Sequence, residues 1–113
     1  MIRLKRVYEE AARNDGYRVL VERLWPRGVS KEKANIRLWA KEIAPSAELR
    51  KWYGHNLARW EEFKKRYWRE LKGKQESLEE TRSRAREGTV TFVYAARDEE
   101  HNSAMALKDY LEK

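Results

Sequence analysis

Two arginines four positions apart, Arg23 and Arg27, bracket Leu24-Trp25-Pro26 and are followed at once by Gly28. Guanidinium forks match the oxygen geometry of phosphate and carboxylate, so this turn reads as the edge of an anion site. Further along, Arg97-Asp98 precede His101-Asn102-Ser103 at what reads as a helix start. Unpaired backbone N–H groups there would add to a positive field around Arg23, Trp25, Arg27, Gly28, Arg97 and Asn102, the expected ligand-binding set. His101 can work as general acid or base near neutral pH. Glu22 could serve as a base if buried, although neighbouring arginines would hold it ionised. Trp25, just ahead of Pro26, could be a platform for a base or sugar. Each residue also has a purely structural reading. Arg23 and Arg27 could pair with Glu22, Glu42 or Asp98, His101 could cap or pack, and His55 could be a solvated loop residue.

Several chemistries lack the residues they need. There is no cysteine, which excludes disulfides, thiolate nucleophiles and cysteine zinc sites together. The five glycines are isolated, so there is neither a G-x-G-x-x-G nor a P-loop, and no G-x-S-x-G elbow occurs. Only His55 and His101 offer imidazole ligands, in no metal-binding spacing. No metal and no cofactor are therefore expected.

The elements that must position the turn are those of a small α/β domain. Ile2, Leu4 and Val7 alternate with Arg3 and Lys5, which predicts a strand with one wet face. Asn14-Asp15-Gly16 signals a turn. Val19-Leu20-Val21 suits a strand covered on both faces, stopped by Trp25-Pro26 and Gly28. Ser30 could cap a brief helical turn, while Ile36 to Ile43 fits either a strand or a helix. Ser46 and Gly54 bracket a short helix. Asn56 opens a long one, with Leu57, Trp60, Phe63, Tyr67 and Leu71 as its apolar stripe and Glu61–Lys65 and Glu62–Arg66 as ion pairs on its wet side. Gly73 ends it. A weaker helix spans residues 75–87, with Leu78 and Ala85 inward. Thr89 to Ala96 is the clearest strand, carrying Val90, Phe92, Val93 and Tyr94. The last helix turns Ala104, Leu107 and Leu111 inward. The expectation is one domain over residues 1–113, with a mostly parallel sheet of three or four strands and helices packed on it. The short first connector is at odds with a parallel crossover, which usually needs a dozen or more residues.

At 113 residues there is no room for a second core, and five Trp, six Tyr and two Phe give the single core bulk. Of the net charge of +7, residues 1–56 carry +6, from 13 Lys/Arg against 7 Asp/Glu, so the positive excess lies in the half containing Arg23 and Arg27. No apolar stretch follows Met1-Ile2-Arg3 and none reaches membrane-spanning length, so neither a signal peptide nor a membrane partner is expected, and the cytoplasm is the default. Heavy charge, one Gln and no Cys fit a heat-adapted source.

The strings RLWPRG (23–28), WAKEIAPSAELRKWYGHN (39–56), WEEFKKRYWREL (60–71) and FVYAARDEEHNSAMAL (92–107) resemble the YeaO-like branch of domain-of-unknown-function family 488 over nearly the whole chain. The resemblance implies an α/β domain with a short parallel sheet and implies no activity. Where the family typically has VDRLWPRG, this chain has Glu22 in place of the Asp, which keeps the charge and lengthens the reach. Distant relatives resemble a Cys-His-Arg pattern where this chain reads Glu100-His101-Asn102, so a thiol-based activity would not carry over.

Three function classes follow. In the first, an Arg-rich rim binds a phosphorylated or carboxylated small molecule, and the domain could be an enzyme with His101 or Glu22 moving a proton. In the second, a sequence pI near 9.7 and a helix–Gly–helix outline over residues 46–72 serve RNA or single-strand binding, although Glu61 and Glu62 would repel phosphate. In the third, the basic rim meets an acidic protein partner without catalysis.

Overall fold

The computed structural model describes residues 1–113. Four strands, β1 (Ile2–Arg6), β2 (Tyr17–Leu20), β3 (Leu38–Trp39) and β4 (Val90–Tyr94), form one sheet in the order β1-β4-β2-β3, with every pairing parallel. Five α-helices accompany it: α1 (Lys31–Ala34), α2 (Ala47–Tyr53), α3 (Trp60–Lys72), α4 (Gln75–Glu87) and α5 (Ser103–Glu112). The small α/β domain expected from the pattern is what forms. None of its helices is long and apolar enough to cross a membrane.

The strand order resolves the difficulty of the short connector. β4 lies between β1 and β2, so the first connection skips a strand instead of joining neighbours. Irregular chain spans about 3.3 Å per residue, enough to return across one strand without a crossover helix. A single 3₁₀ turn, Arg13–Asp15, interrupts that path. Gly16 follows with φ +67°, and a Cβ there would meet the Thr89 carbonyl oxygen at 2.3 Å. The tight seam arises because Tyr17 N–H donates to that same oxygen at 3.0 Å as β2 begins.

Alternation along the strands sorts side chains onto two faces. Val19, Val21, Val90, Phe92 and Tyr94 pack in the larger core with Leu49, Phe63, Tyr67, Leu71, Leu78 and Leu107 of the helices. On the other face Leu20 and Val93 pack with Val7 and Ala34, flanked by Trp25, Val29, Ile36 and Trp39. That second face also holds a buried polar cluster. Arg18, 1% exposed, donates from Nη1 to Asp15 Oδ2 at 2.6 Å and from Nε to the Ala34 carbonyl at 2.9 Å. Lys5 adds a second ion pair to Asp15 at 3.0 Å, and Thr91 Oγ1 donates to the Asp15 carbonyl at 2.6 Å. Burial disfavours the Asp15 carboxylate, but the Ala12 N–H, Lys5 and Arg18 outweigh it and hold its pKa below the usual value. Asn14-Asp15-Gly16 is thus more than a turn, since it supplies the counter-ion of an arginine buried in the sheet.

Caps set the helix limits. Ser30, Ser46 and Asn102 each accept a backbone N–H of the first turn, and Gly54 ends α2 in the left-handed region. Asn56 caps a separate 3₁₀ turn, Leu57–Arg59, which runs into α3. Leu57 therefore leaves the apolar stripe and is 56% exposed. Arg66 pairs with Glu62 at 3.0 Å as expected, whereas Glu61 pairs with Lys64 at 3.6 Å and not with Lys65. The ambiguous stretch from Ile36 to Ile43 becomes the two-residue β3 followed by a 3₁₀ turn, Lys41–Ile43.

Candidate functional site

β2 and β4 are parallel neighbours, so the chain leaves both at the same edge of the sheet. Ligand sites in open α/β sheets form beyond such carboxyl ends. Here a cleft of about 520 Å³ opens between the exits, closed on its flanks by α2, by Phe63 of α3 and by the start of α5. A volume of this size falls in the range of small-molecule sites.

Glu22 enters the cleft from the β2 exit. Its Oε1 accepts the Ala95 N–H from the β4 exit at 3.0 Å, which ties the two exits together and leaves Oε2 without a hydrogen bond. Burial raises its pKa above the usual carboxylate value, while the Ala95 N–H, Arg50 and His55 pull it back. The loop after Glu22 is held by its tryptophans. Trp39 Nε1–H donates to the Glu22 carbonyl at 2.7 Å, Trp25 Nε1–H donates to the Val29 carbonyl at 2.7 Å, and the two rings meet edge-on at 5.4 Å. Trp25 thus lines the cleft where it borders the second core, on a fixed loop.

At the β4 exit, Asp98 accepts the backbone N–H groups of Glu100 and His101 and receives His101 Nδ1 at 3.0 Å. The Glu100 N–H is the main cause of its lowered pKa, with His101 adding to it. An ionised carboxylate accepts, so Nδ1 carries the proton and Nε2 is the nitrogen left for other contacts. The His101 ring also stands edge-on to Trp60 at 5.2 Å. Asn102 is committed to structure: its Oδ1 caps α5 through Met105 N–H at 2.8 Å and its Nδ2 donates to the Asp98 carbonyl at 2.9 Å.

The α2 wall contributes what the sequence reading missed. Arg50 and Lys51 line the cleft as exposed cations, and no carboxylate pairs with either within 4.0 Å. Tyr53 lines it from one turn further on. Its ring packs against Phe63 at 4.6 Å and Trp60 at 5.9 Å, and the residue is 6% exposed. Its hydroxyl is buried and makes no hydrogen bond to the protein. Burial, then the negative charge of Asp98, raise the pKa of that hydroxyl. Nothing in the spacing of Arg50, Lys51 and Tyr53 distinguishes them from an ordinary amphipathic helix, so only the tertiary fold reveals their common wall.

The structure brings Glu22, Trp25, His101 and Asn102 to this cleft and leaves the expected arginines outside it. Arg23 donates from Nε to the Pro45 carbonyl at 2.8 Å and faces a separate depression with Glu42 and Lys74. Glu22 and Arg23, neighbours just past the end of β2, line different spaces. Buried Pro26 then turns the loop, and Arg27 and Gly28 stand exposed beyond it, the Arg27 carbonyl accepting the Tyr8 hydroxyl at 3.2 Å. Arg97 is exposed on the loop before α5. The rim of Arg23, Arg27 and Arg97 is not assembled around one space. Arg50 and Lys51 are the cleft's cations.

Chemically, the cleft offers Glu22 Oε2 and His101 Nε2 as acceptor atoms, the His55 ring, the Tyr53 and Ser103 hydroxyls, neither of them hydrogen-bonded, and the two exposed cations of α2. Ser103 lines the cleft and makes no hydrogen bond to His101. No group of three or more His, Asp or Glu side chains converges as a metal site.

The chain is similar to uncharacterised proteins of known bacteria. An uncharacterised protein of Mycobacterium tuberculosis (strain H37Rv) is 41% identical over 110 residues, which cover 97% of this chain and 92% of the relative. The uncharacterised protein YeaO of Escherichia coli (strain K12) is 38% identical over 110 residues, covering 97% and 96%. No solved structure matches the chain. The family model described as the inactive DUF488-N3 subclade matches residues 1–113, and the chain belongs to that family.

Proposed function

We propose that this protein binds, without turning over, a small molecule carrying a phosphate or carboxylate, held in the cleft between the β2 and β4 exits. The observation that carries the reading is the Tyr53 hydroxyl, buried beside the cleft with no protein partner. Such a group costs stability unless something meets it, and native proteins leave few of them. Arg50 and Lys51, without carboxylate partners at the mouth, supply the attraction for an anion. The family's description as inactive favours binding over catalysis.

The test is thermal unfolding of the protein with increasing inorganic phosphate, phosphorylated metabolites and carboxylic acids. A ligand at 100 times its Kd stabilises by about 2.7 kcal/mol. For a domain of this size that is a rise of roughly 10 °C in Tm. Arg50→Ala with Lys51→Ala should abolish the rise, while Arg27→Ala, beyond the cleft, should keep it. An anion-induced rise that survives the α2 double substitution would place the binding elsewhere.

A further inference from the structure

Resting on the reading just given, the chemistry of the cleft narrows its ligand. We infer that the ligand is a guanine-type nucleoside monophosphate, with the amino-bearing edge of the base on Glu22 and the phosphate on Arg50 and Lys51.

Three features of the cleft meet in this class. The first is the supply of acceptors. Glu22 Oε1 is fixed by the Ala95 N–H and Oε2 is uncommitted, so the carboxylate is oriented and still has lone pairs to offer. With its proton on Nδ1 toward Asp98, the neutral His101 ring presents Nε2 as a second acceptor. The end of the ligand that meets Glu22 therefore presents hydrogen-bond donors. A guanine edge presents a ring N–H beside an amino group, two donors with the spacing of a carboxylate. A dicarboxylate would bring like charge onto Glu22, and an adenine edge sets a ring acceptor beside its amine.

The second feature is the aromatic wall. Trp25, Tyr53 and Phe63 all line the cleft, and Trp25 is pinned by its bond to Val29 and its contact with Trp39. Trp25, half-buried, is the ring with surface left for a flat heterocycle, and the core rings of Tyr53 and Phe63 back the wall behind it. The third is the mouth, where the two unpaired cations of α2 suit a phosphate. The Tyr53 hydroxyl can donate or accept and meets whichever ribose or base atom reaches it.

The experiment is a calorimetric titration of the full chain with guanosine 5′-monophosphate, inosine 5′-monophosphate, which lacks the amino group, and inorganic phosphate. The guanosine nucleotide should bind at least tenfold more tightly than the inosine nucleotide, and phosphate alone should be weakest. Glu22→Gln should remove the preference between the two nucleotides, and Arg50→Ala with Lys51→Ala should weaken both alike. Equal binding of both nucleotides, still dependent on Arg50 and Lys51, would overturn the guanine assignment and leave the anion site standing. Binding of neither nucleotide, with phosphate or a carboxylic acid still stabilising the protein through Arg50 and Lys51, would also overturn this inference alone. No anion acting through those residues would overturn both. The ranking in the unsubstituted protein decides the matter even if Glu22→Gln fails to fold.

Discussion

Tyr53→Phe removes one oxygen and little else. The ring keeps its packing against Phe63 and Trp60, so the substitution isolates the hydroxyl. A buried hydroxyl without a partner carries a desolvation cost of about 1–3 kcal/mol. Removing it should stabilise the free protein by that amount, which for a domain of this length corresponds to a Tm increase of roughly 4–12 °C. The same oxygen is the one assigned to ligand, where a hydrogen bond contributes about 0.5–1.5 kcal/mol, so affinity should fall about two- to tenfold. Stability and binding move in opposite directions. Differential scanning fluorimetry reads the first and calorimetric titration the second. Tyr67→Phe is the control: Tyr67 is fully buried and its hydroxyl donates to the Ile43 carbonyl, so its loss leaves an acceptor unpaired and should lower Tm. A Tyr53→Phe protein that melts at or below the parent temperature would refute the reasoning, since its hydroxyl would then be satisfied before any ligand arrives.

Two further predictions concern the scaffold. Asp15→Asn strips the buried Arg18 of its counter-ion and should destabilise by about 3–5 kcal/mol, whereas adding Arg18→Met should recover most of the loss. The Asp15 pKa is lowered on folding, so its contribution is present above its ordinary value of 3.8 and is lost as pH falls through the folded-state value. Urea unfolding should therefore show the gap between Asp15→Asn and the parent closing below about pH 4; a gap constant down to pH 2 contradicts the ion-pair account. Gly16→Ala should cost clearly more than Gly28→Ala, which should cost about 1 kcal/mol. Both residues have positive φ, but only at Gly16 would the new Cβ strike backbone. Equal losses in denaturant midpoint would show that the Thr89 seam yields freely.

Periodicity made some elements legible in the sequence and tertiary contact decided the rest. β4 could be read because every residue from Val90 to Tyr94 is buried, and a strand covered on both faces is written almost wholly in apolar and β-branched residues. α3 was visible in the 3–4 spacing of Trp60, Phe63, Tyr67 and Leu71. Arg18 was not recognisable as core, because a buried charge is recognised by its partner, and Asp15 lies within a turn signal that hides its role. The cleft was half legible. Glu22, Trp25 and His101 follow strand ends, a place where sites form, and they do meet. The arginines misled because guanidinium chemistry was read from the chain order, whereas the direction of Arg23, Arg27 and Arg97 depends on the path of the loops past the strand ends and the turn at Pro26. The replacement cations, Arg50 and Lys51, come from a helix more than twenty residues away in sequence.

The place of β4 in the middle of the sheet also sets a schedule for synthesis. β1 pairs with β4 alone, and β2 meets β3 through only two residue pairs. About 84 residues separate the end of β1 from the start of β4, which at ordinary elongation rates takes the ribosome roughly 4–17 s. Throughout that interval the first strand has no sheet to join, and Ile2 and Leu4 stay uncovered. The sheet cannot close before the central strand has been made, and a chain with 40% charged residues resists association in the meantime.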